Sequence, residues 1–202
     1  MNLPLQPRRV ARNGFTIIEL LMVITIIVVL AAISIGGFRY ATTSAYRNTT
    51  VARLQFISTS LESYALDFGQ YPPVLRNQTA TTEIDGVNFE YGSAAALYQA
   101  ISGDGNDHIV DGGTASNGQI DQDEAQRGVT ELTPGSFREF SGNVFGMVDG
   151  FRQPFLYVRF DRDNPTATRN PTFDLWSVSD SGTPGRTSDA GSEDHPQWIK
   201  NW

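Results

Sequence analysis

The chain has 202 residues, with 15 Lys and Arg against 22 Asp and Glu, a formal net charge of −7 and no cysteine. Such acidity repels nucleic acid and anionic headgroups, and no basic stripe offers a DNA-binding face. Without cysteine there is no disulfide, thiol nucleophile or Cys-containing zinc site, and the length leaves room for one modest globular domain beside a membrane segment.

From Phe15 to Ile35 the chain is apolar except for Thr16, Glu19, Thr25 and Ser34. A helix needs roughly 20 such residues to cross hydrocarbon, so this run reads as a membrane-spanning helix. Arg8, Arg9 and Arg12 precede it, with no acid before Phe15. That bias holds the N-terminus in the cytoplasm and sends the rest outward. A secretory signal is cut after its apolar core. Here the small residue Gly14 against bulky Phe15 marks a break before the core, and cleavage there leaves the helix attached. Glu19 lies one turn into the run, where an unpaired charge costs about 2.5 kcal/mol or more. Two partners fit it: the new amino group of Phe15 presented by a neighbouring subunit, or headgroups reached from a shallow position.

Beyond the run, Phe38, Ala41, Ala45, Leu54, Ile57, Leu61, Ala65 and Phe68 recur mostly three or four apart, with Arg39, Arg47, Arg53, Glu62 and Asp67 between them. This predicts that the helix continues to Phe68 with one face on a core. Gly36-Gly37 is a weak point, Gly69 a C-cap, and Pro72-Pro73 a stop. Ser93 to Ile101 predicts a short helix, with Ala94, Leu97, Tyr98 and Ile101 inward and Ser93 as its cap.

An acidic, Gly-rich loop at 103–128 holds Asp104, Asn106, Asp107, Asp111, Asn117, Asp121, Asp123 and Glu124. Laid on an EF-hand loop, Asn117, Gly118, Ile120, Asp121 and Glu124 take the fifth, sixth, eighth, ninth and twelfth positions, but Gly113 and Ala115 take the first and third, where acids belong. A solvated acidic loop is the better account. Residues 151–160 and 172–179 alternate apolar and polar types rich in aromatic and β-branched side chains, and read as strands. The link at 161–171, with Asn164-Pro165 and Asn170-Pro171, is a turn region. Such a pair needs a cover, and the face from Leu54 to Phe68 supplies it, with the aromatic residues in the core rather than on a ligand platform. His108 and His195 lie in polar loops as surface residues. No Gly-rich phosphate loop followed by Lys occurs, so nothing supports an enzyme. The expected class is α+β, a long N-terminal helix packed on a small antiparallel sheet with long loops.

The Arg-rich leader, Gly14, Phe15-Thr16-Ile17-Ile18-Glu19-Leu20 and the apolar run resemble the N-terminal signature of type IV prepilins and type II secretion pseudopilins. The end of the long helix and Gly69-Gln70-Tyr71-Pro72 are similar to the Gly-x-Tyr-Pro turn of the major pseudopilins. Asp149-Gly150-Phe151-Arg152-Gln153-Pro154-Phe155 resembles their Asp-Gly-Asn-Pro-Tyr turn, Phe173-Asp174-Leu175-Trp176-Ser177 their Tyr-Asp-Leu-Tyr-Ser strand, and Asn201-Trp202 their close. The nearest likeness is to the major, G-type pseudopilin.

That resemblance implies a pilin-like fold with a leader peptide at 1–14, a transmembrane assembly helix at 15–38 and a periplasmic domain at 39–202. It implies cleavage between Gly14 and Phe15 by a prepilin peptidase, N-methylation of Phe15, and pairing of Glu19 with the Phe15 amine in a helical filament of identical subunits. The implied partners are an inner-membrane secretion assembly platform and minor pseudopilins, with no nucleic acid. The implied location is the bacterial inner membrane, single-pass, the N-terminus cytoplasmic and the C-terminal domain periplasmic, within a periplasmic pseudopilus. The implied task is to drive protein export across the outer membrane. A minor pseudopilin or a type IV pilin subunit for adhesion, motility or DNA uptake is the nearest alternative. A membrane-anchored periplasmic binding or enzyme domain is the alternative of another class.

Losing a leader with three Arg and no acid would leave 12 basic against 22 acidic residues, a net −10, which favours divalent cations. Many type IV pilins close their C-terminal loop with a disulfide, and its absence shifts weight to the pseudopilins. The family's terminal loop binds calcium through Asp side chains and main-chain carbonyls. Carried over, the first acid is Asp180, displaced by one residue from the family's Ala-Asp-Gly. The second is Asp189 or Asp194, with Glu193 competing, and Leu175 and Ser177 contribute carbonyls. Ca²⁺ takes about six to eight oxygens, and a loop of Asp, Ser and Gly supplies them from side chain and backbone.

Overall fold

The computed structural model describes residues 14–73, 80–105, 116–189 and 195–202. The chain divides into two compact units, Met1–Thr42 and Thr43–Trp202. Helix α1, Ile17–Phe68, is 52 residues long. It runs uninterrupted through Gly36-Gly37, because a helix long on both sides of a weak pair absorbs a cost of about 1 kcal/mol per Gly. At its end Gly69 turns left-handed (φ +73°), and its N–H reaches the Ala65 carbonyl at 2.9 Å. This is the C-cap read from the sequence.

In the first unit, every residue from Gly14 to Ala41 is exposed, and α1 is long and apolar enough to cross a membrane. In the second unit α1 buries Thr50, Leu54, Ile57, Ser60, Leu61 and Tyr64, a row spaced by four and three that forms one helix face. Leu54, Ile57 and Leu61 stand on that face as expected. Phe38, Ala41 and Ala45 are exposed. Phe68 is 47% exposed and stacks on Tyr64 with ring centroids 4.3 Å apart, so the core ends at Tyr64 and Phe68 covers it from outside.

Two hairpins occupy a region in which the sequence reading placed no strands. Strand β1 (Thr81–Ile84) pairs antiparallel with β2 (Val87–Glu90) through Asp85-Gly86, both left-handed at φ 51° and 81°. That is the two-residue turn an Asp-Gly pair favours, because its twist matches the flanking strands. Strand β3 (Phe137–Ser141) pairs with β4 (Val144–Met147) through Gly142-Asn143, with a register shift between Glu139 and Ser141. The two expected strands are present as β5 (Leu156–Arg159) and β6 (Phe173–Ser177), antiparallel, and a short β7 (Ile199–Lys200) pairs on the far side of β6. The expected single sheet is thus three small antiparallel sheets.

All five residues of β6 are buried. It is the central strand, so its alternate side chains enter different clusters. Phe173 and Leu175 join Tyr157, Leu54, Ile57, Leu61, Tyr98 and Met147. Trp176 joins Phe89, Leu156, Val178 and Trp198. The aromatic strand residues are core, as expected.

Helix α2 spans Gly92–Ser102, and Ala94, Leu97, Tyr98 and Ile101 are buried as predicted. Its N-cap is Tyr91, with no side-chain cap bond. Ser93, expected there, instead donates to the Phe155 carbonyl (3.3 Å) and accepts the Tyr157 N–H (3.2 Å), which stitches α2 to β5. A Cβ on Gly146 of β4 would lie 3.0 Å from the Ala94 and Ala95 backbone, so glycine and alanine together set how closely α2 sits on that hairpin.

Candidate functional site

At the N-terminal end, Gly14 is exposed with nothing within 4 Å of a Cβ built on it, and Phe15 is 83% exposed. The Gly14-Phe15 peptide is open to an enzyme. Since α1 begins at Ile17, Thr16 is its N-cap and Glu19 the third residue of the first turn. Thr16 donates its N–H and its hydroxyl to Glu19 Oε2, both at 2.8 Å, and the Glu19 N–H donates to Thr16 Oγ1 at 3.3 Å. This reciprocal pair is a capping box: it satisfies two donors that the first helical turn leaves open, and it partners the carboxylate within its own chain. Neither partner expected for Glu19 was this one. The signal that finds it is Thr-x-x-Glu ahead of an apolar run.

The described part of the acidic loop is closed by its own carboxylates. Buried Asp104 accepts the Tyr98 hydroxyl (2.6 Å) and the N–H groups of Asn117 (3.0 Å) and Gly118 (2.8 Å). Burial, then this bond and charge from Asp104, push the Tyr98 hydroxyl pKa well above its ordinary value. Helix α3 (Gln122–Arg127) starts on a second capping box, Asp121 as N-cap and Glu124 reaching back to the Asp121 N–H at 3.0 Å. The other Glu124 oxygen accepts the Gly105 N–H at 3.1 Å. Asp121 and Glu124, which the EF-hand alignment placed as ligands, are engaged in backbone closure. Asn106, Asp107, His108, Asp111 and Gly113 lie outside the described residues.

Where the chain enters β5, Asp149 is fully buried. It accepts the Ser177 hydroxyl at 2.5 Å and the Gln153 N–H at 2.8 Å. Burial pushes its carboxyl up to about 6, against the opposing pull of the Ser177, Gln153 and Phe151 hydrogen bonds and the Arg53 charge. Arg53 donates to the carbonyls of Val148 (2.9 Å) and Asp149 (2.7 Å), and the Gly150 N–H donates to Thr50 Oγ1 (2.9 Å). A Cβ on Gly150 would strike the Tyr46 carbonyl. The 149–155 turn is therefore seated directly on α1. The turn was legible in the sequence; the burial of its Asp was not.

The tail is threaded between these elements. Glu90 accepts the Thr187 N–H (2.6 Å) and hydroxyl (2.7 Å), and the Glu90 N–H donates to the Gly185 carbonyl (2.8 Å). Asn201 donates its N–H to the Leu175 carbonyl (3.1 Å) and accepts the Leu175 N–H on its side chain (2.9 Å). Asp180 Oδ1 is held by Arg47 Nη1 at 2.6 Å and by the Ser179 hydroxyl at 3.0 Å. Burial works to raise the Asp180 pKa, but the bonds from Ser179, its own N–H and Arg47, with the Arg47 charge, hold it below the ordinary value. Asp189 lies in the 3₁₀ turn Thr187–Asp189. Burial raises its carboxyl, against the Arg186 bond and charge. His195 is half-buried with its ring stacked on Trp198 at 5.4 Å, rather than standing free on the surface.

Of the expected calcium set, Asp194 and its competitor Glu193 lie outside the described residues. Among the others, two oxygens already have a partner within the chain. The Asp180 carboxylate faces a guanidinium, and the Leu175 carbonyl accepts the Asn201 N–H. No group of three Asp, Glu or His side chains suited to a metal ion is gathered among the described residues.

A long N-terminal helix followed by small antiparallel sheets is an α+β arrangement consistent with a pilin-like fold. Residues 9–35 match the prokaryotic N-terminal methylation motif. No curated protein and no solved structure matches the chain. The motif supports a type IV pilin-like family, a structural rather than enzymatic subunit, processing by a prepilin peptidase and membrane-associated assembly.

Proposed function

We propose that the chain is the structural subunit of a type II secretion pseudopilus, cut between Gly14 and Phe15, N-methylated on Phe15 and polymerised from the inner membrane to drive export of folded proteins. The observation that carries this reading is the prepilin-type motif at 9–35 on a helix that is apolar enough to span a bilayer and continues into the globular unit. A repeated head-to-tail contact that does not close yields a filament, and packing apolar helices side by side removes them from lipid as each subunit is added. Glu19 joins the Phe15 amine of a neighbour during that step, exchanging the Thr16 contacts for an ion pair. The absence of cysteine and the likeness of the 149–155, 173–177 and 201–202 segments to major pseudopilins favour secretion over a surface pilus.

Removing the chain from its source cells tests this reading. Exported proteins should vanish from the medium and accumulate in the periplasm. Normal export with loss of adhesion, motility or DNA uptake would assign it to a type IV pilus instead. Processing is checked separately by mass. Gly14→Ala should still lose residues 1–14, whereas Gly14→Leu should retain them, because no described residue crowds this position and the limit on size is set by a peptidase that takes a small residue ahead of the cut. Parent and Leu variant masses that differ only by the Gly-to-Leu substitution would show residue 14 retained in both and would count against cleavage at this peptide.

A further inference from the structure

One carboxylate of the expected calcium set, Asp180, has a partner of another kind. Ser179 sits in the left-handed region (φ 55°), held by its N–H on Ser177 Oγ at 2.9 Å. This reversal after β6 brings Asp180 to Arg47 of α1. The guanidinium meets three oxygens: Asp180 Oδ1 at 2.6 Å, Ser179 Oγ at 3.2 Å and the Gln197 carbonyl at 3.3 Å. A carboxylate and a hydroxyl from the turn after β6, with a main-chain carbonyl from just before β7, are the donors a hard cation takes. A guanidinium, with five N–H groups in a planar fork, satisfies the same donors and carries its charge on a tether. Bound there, it repels a divalent ion from the carboxylate it holds.

We propose that Arg47 replaces a divalent cation as the closure of the C-terminal tail, so that the subunit folds independently of calcium. The closure joins residues far apart in sequence: one end is on α1, and the other holds the segments on either side of 190–194. It rests on the Arg47–Asp180 geometry, and not on which export or pilus system the subunit serves.

The test is a thermal melt of the full-length chain in detergent, with excess Ca²⁺ and with chelator. The two Tm values should coincide for the parent. Arg47→Ala should lower Tm by about 2–4 °C, the shift expected for a half-exposed pair in a domain of this size. Asp180→Ala added to Arg47→Ala should lower it little further, since both remove one contact. If Arg47→Ala fails to fold, Arg47→Gln with Asp180→Asn runs the same cycle with the charges removed and the side-chain stems kept. A Tm of the parent that rises with Ca²⁺ overturns the proposal, as do Arg47 and Asp180 effects that simply add.

Discussion

Glu19→Gln should leave cleavage intact, hold the subunit in the membrane and cut filament yield by well over tenfold. A capping box accepts Gln as readily as Glu at its third position, so the variant keeps an acceptor for the Thr16 N–H and loses only the charge. If the task of Glu19 is an ion pair with a neighbour's amine, a neutral amide forfeits an interaction of about 2.5 kcal/mol, the cost of leaving a charge unpaired in lipid. Each 1.4 kcal/mol is tenfold in an equilibrium. Glu19→Ala should lose both cap and charge and assemble no better. Filaments counted by microscopy, beside the mass of the processed subunit, separate the roles. Normal filaments from the Gln variant would make Glu19 a helix cap alone.

Asp149→Ala should lower stability by about 3–5 kcal/mol, because it leaves the buried Ser177 hydroxyl and Gln153 N–H without their acceptor and the nearby Arg53 without its counter-charge. Asp149→Asn keeps an acceptor and the volume, and its effect is on pH dependence. With the folded carboxyl up to about 6 and the unfolded value at about 3.9, the folded chain binds the proton more tightly. The stability from this group is fully present below about pH 4 and is lost as pH rises through about 6. Between roughly pH 5 and 7.5 the parent should lose about 1–1.5 kcal/mol that the Asn variant does not. The charges that act on the Asp149 carboxylate are those of Arg53 and Arg138, both cationic throughout that range. Denaturant melts of both proteins across the range decide it; parallel pH profiles would remove Asp149 as the titrating group.

The sequence by itself determined whatever depends on local period and composition. The apolar run, its Arg flank and Gly14-Phe15 mark a prepilin-type helix long and apolar enough to span a membrane, since hydrocarbon thickness and charge bias act on contiguous residues. The helix end at Phe68, the α2 face and strands β5 and β6 followed from period 3.6 and period 2. The β1–β2 hairpin had a local signal too, Asp85-Gly86 between Thr81–Ile84 and Val87–Glu90, which the sequence reading passed over.

The tertiary structure alone decided how the polar side chains are used. Ser93 caps nothing and instead bridges α2 to β5, while Asp149, exposed-looking in an Asp-Gly turn, is buried beneath Ser177. Asp180 meets Arg47 across 133 positions of sequence. Carboxylates of the same local appearance became a helix cap, a buried anchor and half of an ion pair. The reason is physical: a carboxylate's role is set by which donors fold against it and how much water they exclude, and those donors come from remote parts of the chain.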